Sequence, residues 1–178
     1  AGARIFELKT VQKLDGENLP IAKPCIAAPD EGYNVEWSTE LKATEAAAVY
    51  IKGYFAISLL AKELALGVPQ GFAFNMSEGY DLDSLRTLKM NGFIEILKNA
   101  SRSEAWRDCR CFALDNLDLF REVDRAYIES LDPHLCASVT VSTLHGCPPQ
   151  EIESIARWLL EEKGLHTYIK LNPTLVGY

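Results

Sequence analysis

Two side chains in the last third of this 178-residue chain stand where chemistry could be done. Cys147 closes the run Leu144-His145-Gly146-Cys147, and Pro148-Pro149 leads from it into a predicted helix. Helix N-terminal amides and the helix dipole favour a thiolate, so a cysteine facing outward there is a candidate reactive thiol. The alternative is a half-buried loop thiol beside two prolines. Lys170 falls inside the predicted strand His166-Thr167-Tyr168-Ile169-Lys170-Leu171-Asn172. An ammonium in a strand interior costs several kcal/mol unless something pairs with it. Lys170 therefore meets a ligand or forms an ion pair, with Glu7 the candidate partner. Asn172 shares its face, and Lys9 holds the matching end of an earlier strand, although a strand-end lysine often only reaches water. His145 could donate to a ligand, yet loop capping is the commoner role for such a histidine. Cys109 and Cys111, with Cys136 and His134, raise the question of zinc, but a lone Cys-x-Cys lacks the usual ligand spacing.

The element that must position Cys147 and Lys170 is a βαβ unit. Six β-prone residues (138–143), a Gly- and Pro-bounded loop, about fifteen helix formers and a second β-prone run follow in order. Such a unit implies parallel strands and a right-handed crossover. Pro149 suits a first helical position, Glu151 and Glu153 the first turn, and Lys163-Gly164 the end. Ile152, Ile155, Ala156, Leu159 and Leu160 form the expected buried stripe, with Glu153, Arg157 and Glu161 paired outside. Both Cys147 and Lys170 then lie at the C-terminal ends of parallel strands, the ligand-binding rim of α/β folds.

Upstream, residues 4–10 alternate as a strand and 11–39 are irregular, punctuated by Gly16, Pro20, Pro24, Pro29 and Gly32. A stretch that long usually carries function or covers something. A helix is predicted over 42–66, with Ala47, Tyr50, Tyr54, Ile57, Ala61 and Leu64 as its stripe and Gly67 as its cap. Residues 71–77 read as a strand, Asp81 as an N-cap, 91–99 as helix, 101–111 as irregular and 117–131 as helix. Alternation puts Phe6, Leu8, Phe72, Phe74, Met76, Val139, Val141, Thr167, Ile169 and Leu171 on one face. The other carries Glu7, Lys9, Asn75, Ser77, Ser138, Thr140, Ser142, Tyr168, Lys170 and Asn172. Parallel sheets normally bury apolar side chains on both faces. An apolar face under helices with a polar inner face points instead to part of a (β/α)8 TIM barrel, a lumen lined by Asn75 and Ser77 opening at its C-terminal rim.

The length suits one well-buried α/β domain, with no linker, repeat or low-complexity tract. A net charge of −7 and a pI near 5.0 argue against nucleic acid and anionic membrane surfaces as partners. No apolar run approaches a membrane span, and five cysteines in a chain with a substantial core suggest reduced thiols in the cytoplasm. A start at Ala1-Gly2-Ala3 without Met, and a stop just after a strand, lead us to expect 1–178 to be a fragment of a single barrel domain. Four parallel strands leave two open edges, through which a homodimer could form if the rest of the barrel does not cover them.

The segments Ser142-Thr143-Leu144-His145-Gly146-Cys147-Pro148-Pro149, Lys170-Leu171-Asn172-Pro173-Thr174 and Glu7-Leu8-Lys9-Thr10 resemble the barrel region of the selenate reductase iron–sulfur subunit family. More distantly, their strand ends are similar to the FMN barrels of dihydroorotate and dihydropyrimidine dehydrogenases. The resemblance implies strands two to five of a barrel. It implies that Lys9, Thr10 and Lys170 contact FMN and that Cys147 stands where a loop cysteine serves as acid/base; alternation puts Asn75, Ser142 and Asn172 on the inner face with Lys170, where they would line the same site. It further implies iron–sulfur and NAD(P)H/FAD centres in other parts of a multi-domain oxidoreductase, whose domains or subunits would be the partners. Thr140 and Thr143 depart from the asparagine and cysteine of the pyrimidine enzymes, which speaks against dihydropyrimidine chemistry. The competing readings are a non-catalytic barrel docking electron-transfer partners, and a flavin-free barrel enzyme using Cys147 or Lys170 as nucleophile.

Overall fold

The structure, a computed structural model, describes residues 3–8, 10–11, 38–39, 42–68, 70–142 and 148–170. A four-stranded parallel sheet runs in the order β1 (Ile5–Glu7), β4 (Ala73–Glu78), β5 (Cys136–Val141), β6 (His166–Ile169). A second parallel pair joins β2 (Thr10–Val11) to β3 (Ser38–Thr39). The helices are α1 (Ala43–Glu63), α2 (Leu82–Leu85), α3 (Leu88–Lys98), α4 (Glu104–Asp115), α5 (Arg125–Glu129) and α6 (Pro149–Arg157). The stretch expected to be irregular between the first strand and first helix lies almost wholly outside the described residues.

Strand alternation places the core where expected. Phe74, Met76, Val139 and Val141 are buried under the helices, and Asn75, Ser138 and Thr140 share the other face. A bulge in β5 between the partners of Phe74 and Asn75 lets Cys136 and Ser138 take opposite faces across Ala137. The strand face is sealed by aromatic contacts. Tyr54 of α1 lies against the rings of Phe72 and Phe74, and Trp106 of α4 meets Phe55 edge-on at 4.7 Å between centroids.

Four expectations about helices need correction. Residues 101–111 are not irregular, because Ser103 caps α4 by accepting from the Trp106 amide and Trp106 with Ala113 buries one side. The helix expected over 91–99 begins three residues earlier, where Thr87 caps Met90. Residues 117–131 are not one helix. The Glu63 carboxylate accepts from the amides of Arg121, Glu122 and Val123, holding that chain in a bend until Asp124 caps the short α5. Leu160 is exposed rather than buried, and α6 passes into a π-helical turn at Trp158–Glu162. Trp158 and Leu159 face the core with Ile155, the i, i+3, i+4 spacing of one helical face. The predicted outer ladder is present, with Arg157 bridging Glu153 and Glu161.

Candidate functional site

The polar face of the sheet is built in lateral rows, since paired residues of parallel strands point the same way. One row is Glu7, Asn75, Ser138, His166; the next is Ser77, Thr140, Tyr168. Asn75 ties the rows together. Its Oδ1 accepts from Ser138 Oγ at 2.6 Å, and its Nδ2 donates to Thr140 Oγ1 at 2.7 Å and to the Met76 carbonyl at 3.1 Å. Asn75, Ser77 and Thr140 are all buried, so this face is a packed polar layer. Toward β6 it opens, and His166, Tyr168 and Lys170 are exposed.

Lys170 continues the inner-face alternation of His166 and Tyr168, its amide donating to the Val141 carbonyl at 3.0 Å. Its ammonium has no ion-pair partner among the described residues. Glu7 does not serve, because β1 and β6 are opposite ends of the four-strand order, some three strand spacings or ~14 Å apart. Ser142 follows β5 and is half-buried, its amide donating to the Glu78 carbonyl at 2.6 Å. That contact is close because residue 79 is glycine. A Cβ there would lie 2.8 Å from the Ser142 carbonyl oxygen. We expect Gly79→Ala to push Ser142 off the rim and to cost about 1–3 kcal/mol in urea unfolding; an unchanged midpoint would contradict this close approach.

The rim is also latched by Glu151, whose Oε1 accepts from the Leu82 amide at 2.9 Å and so ties the start of α6 to the start of α2. Asp81 caps α2 as expected, through the Ser84 amide. Of the other sequence candidates, Lys9, His145, Cys147 and Asn172 lie outside the described residues. Thr10 is placed by its backbone alone, pairing with Ser38. The structure therefore brings Asn75, Ser142 and Lys170 to one face, the first buried in the sheet and the other two at its C-terminal end.

The residue that sequence reasoning missed is Glu78. The strand expected over 71–77 stops one residue short of it: Glu78 is the last residue of β4, 1% exposed, with neither carboxyl oxygen hydrogen-bonded to a described residue. Burial pushes its carboxyl up to about 8, so it is held as the neutral acid at physiological pH. By register it sits beside Val141.

Among the described residues His134, Cys109, Cys111 and Cys136 do not converge. The His134 ring nitrogens meet Asp132 at 2.7 Å and Asn99 at 3.1 Å, closing the turn before β5. Cys136 is buried, its thiol pushed up to about 12, whereas Cys111 is exposed. Among the described residues no three metal-ligating side chains cluster, and no helix is long and apolar enough to cross a membrane.

Comparison with known proteins bears on this arrangement. The family described as oxidoreductase YgfK, N-terminal TIM-barrel domain, matches residues 1–178. Proteins carrying the oxidoreductase name YgfK in Escherichia coli K12 and in Escherichia coli O157:H7 are each 42% identical over 192 residues. That match takes in 99% of this chain but 18% of the length of either relative. No solved structure matches.

Proposed function

Since this chain belongs to the YgfK family of oxidoreductase N-terminal TIM-barrel domains, we propose that its polar sheet face is part of the wall of a flavin site in a multi-domain iron–sulfur flavoprotein. The observation that carries this is Lys170, a cation at a strand's C-terminal end with no ion-pair partner among the described residues, level with Ser142 on a face of hydroxyls and amide. Those groups fit an anionic, hydrogen-bonding cofactor such as FMN. FMN, when bound, would supply hydride and electron transfer. Lys170 would hold an ammonium against the charge that gathers on the cofactor, an interaction that grows as water is excluded. Ser142 would add a hydroxyl at the same rim. By resemblance Lys9, Thr10 and Asn172 complete the contacts and Cys147 handles a proton. Iron–sulfur clusters and the NAD(P)H/FAD centre would belong to the remaining length that the relatives possess.

One observation favours the scaffold reading as a second. Asn75 directs its amide into the sheet, toward Ser138, Thr140 and Met76, and so consolidates the wall rather than presenting a free donor. Lys170→Met in the full-length polypeptide separates the two, because it keeps the aliphatic stem and removes the charge. We expect FMN occupancy, read from absorbance and fluorescence of the purified protein, to fall roughly tenfold, the equivalent of about 1.4 kcal/mol, with Lys170→Arg retaining most of it. A wild-type protein that purifies and stays flavin-free on reconstitution sinks the flavin reading; unchanged occupancy and reduction potential in the variant sinks the role of Lys170.

A further inference from the structure

On the helix-covered side of the sheet, beside the open edge of β1, lies an apolar groove of about 420 Å³. Arg4 and Phe6 of the first strand segment, Ile57 and Leu60 of α1, and Val68 and Phe72 on the approach to β4 line it. Its rim is conspicuously apolar for a free surface: Leu60, Leu66 and Val68 are each more than half exposed. Phe6 is half-buried, edge-on against Phe72 and Phe74 toward β4. Among the described residues β1 pairs with β4 alone, so its other edge is unpaired.

The topology says what belongs there. In a TIM barrel each strand is flanked by two others, and each seam between strands is covered by an outer helix. A parallel strand added at the free edge of β1 reaches the sheet through a right-handed crossover, which puts its helix on the face that α1 already occupies. That helix would lie across Phe6 and beside α1, which is where the groove runs. We propose that the groove seats an amphipathic helix of the same polypeptide, from outside residues 1–178, as the neighbouring member of the barrel's outer ring. Its apolar stripe fills the space over Phe6 and Ile57 and covers Leu60, Leu66 and Val68, while Arg4 at the rim suits an acidic side chain on its flank. The relatives, in which this region is 18% of the length, have ample chain to supply it. The inference rests on the barrel family and is independent of the flavin reading.

The test uses the full-length polypeptide carrying Leu60→Cys, labelled with a maleimide in short pulses and read by peptide-resolved mass spectrometry. If a helix is seated in the groove, the Cys at position 60 reacts at least about tenfold more slowly than in the same protein unfolded in urea, and equally so across a hundredfold range of protein concentration. Reaction within about twofold of the unfolded rate overturns the proposal, because the groove is then bare. Protection that fades on dilution also overturns it, since the occupant is then a second copy. Hydroxyl-radical footprinting of Leu60, Leu66 and Val68 in the unmodified protein gives the same reading without a substitution, with low oxidation expected at all three.

Discussion

Glu78→Gln should make the protein more stable at alkaline pH and remove a pH dependence that the wild type carries. The carboxyl of Glu78 rises from an ordinary 4.5 to about 8 on folding because burial disfavours its charged form. Its folded-state value lies above its unfolded value, so the folded protein binds the extra proton between the two. Stability is then fully present below pH 4.5 and falls as pH rises through the window to about 8, beyond which both states are ionised and the loss is complete. Ionising a buried carboxylate with no partner among the described residues costs about 5 kcal/mol over that span, a large part of what a domain of this size has.

Gln keeps the shape and polarity but has no proton to lose. Its amide is as poorly partnered at pH 5 as at pH 9, so any cost is constant with pH. Urea unfolding at fixed pH should therefore give a flat profile for the variant between pH 5 and 8.5 and a falling one for the wild type. The curves cross, and the variant is the more stable above about pH 7. Parallel profiles would show that Glu78 keeps an ordinary carboxyl. Because Ser142 hangs from the Glu78 carbonyl, the same titration should loosen the rim first, visible as a protection factor at Ser142, taken against the intrinsic base-catalysed rate, that falls above pH 8 in the wild type alone.

How far the sequence carried can be judged residue by residue. The βαβ unit was legible because two periods, two and 3.6, change over at Pro148-Pro149, and its caps and outer charges are local. The split of the sheet into apolar and polar faces was legible for the same reason: Met76 and Val139, or Asn75 and Ser138, need only alternation to be placed. What stayed hidden depends on contacts distant in the chain. The break at 121–123 is caused by Glu63, some sixty residues earlier, and no local pattern announces it. Glu78 falls one residue past the strand expected from alternation, whereas β4 extends to meet Ser142, whose carbonyl leaves no room for a Cβ at Gly79. In the site, the faces of Asn75 and Lys170 were readable and the state of their polar atoms was not. Asn75 is engaged by hydroxyls 63 and 65 positions away, and Lys170 lacks the ion pair with Glu7 that would have made it structural.

Asn75→Ala should be the most damaging substitution on the polar face. The wild-type amide answers a donor and two acceptors in one buried layer, so truncation leaves Thr140 Oγ1 without its donor and Ser138 Oγ without its acceptor. Polar groups stranded in this way cost about 1–3 kcal/mol each, and a small cavity adds to that. We expect a loss of about 3–4 kcal/mol in urea unfolding, against roughly 1 kcal/mol for Ser138→Ala, which removes one hydroxyl and leaves the Asn75 amide its other two bonds. A double-mutant cycle between the two sites isolates their interaction from the cavity, and the 2.6 Å hydrogen bond predicts a coupling of about 1 kcal/mol or more. Strict additivity would mean that water satisfies both groups in solution and that this stretch of the barrel wall is open. A coupled pair, with flavin occupancy of the full-length Ser138→Ala protein unchanged, would assign Asn75 and Ser138 to holding the wall and leave ligand contact to the rim at Ser142 and Lys170.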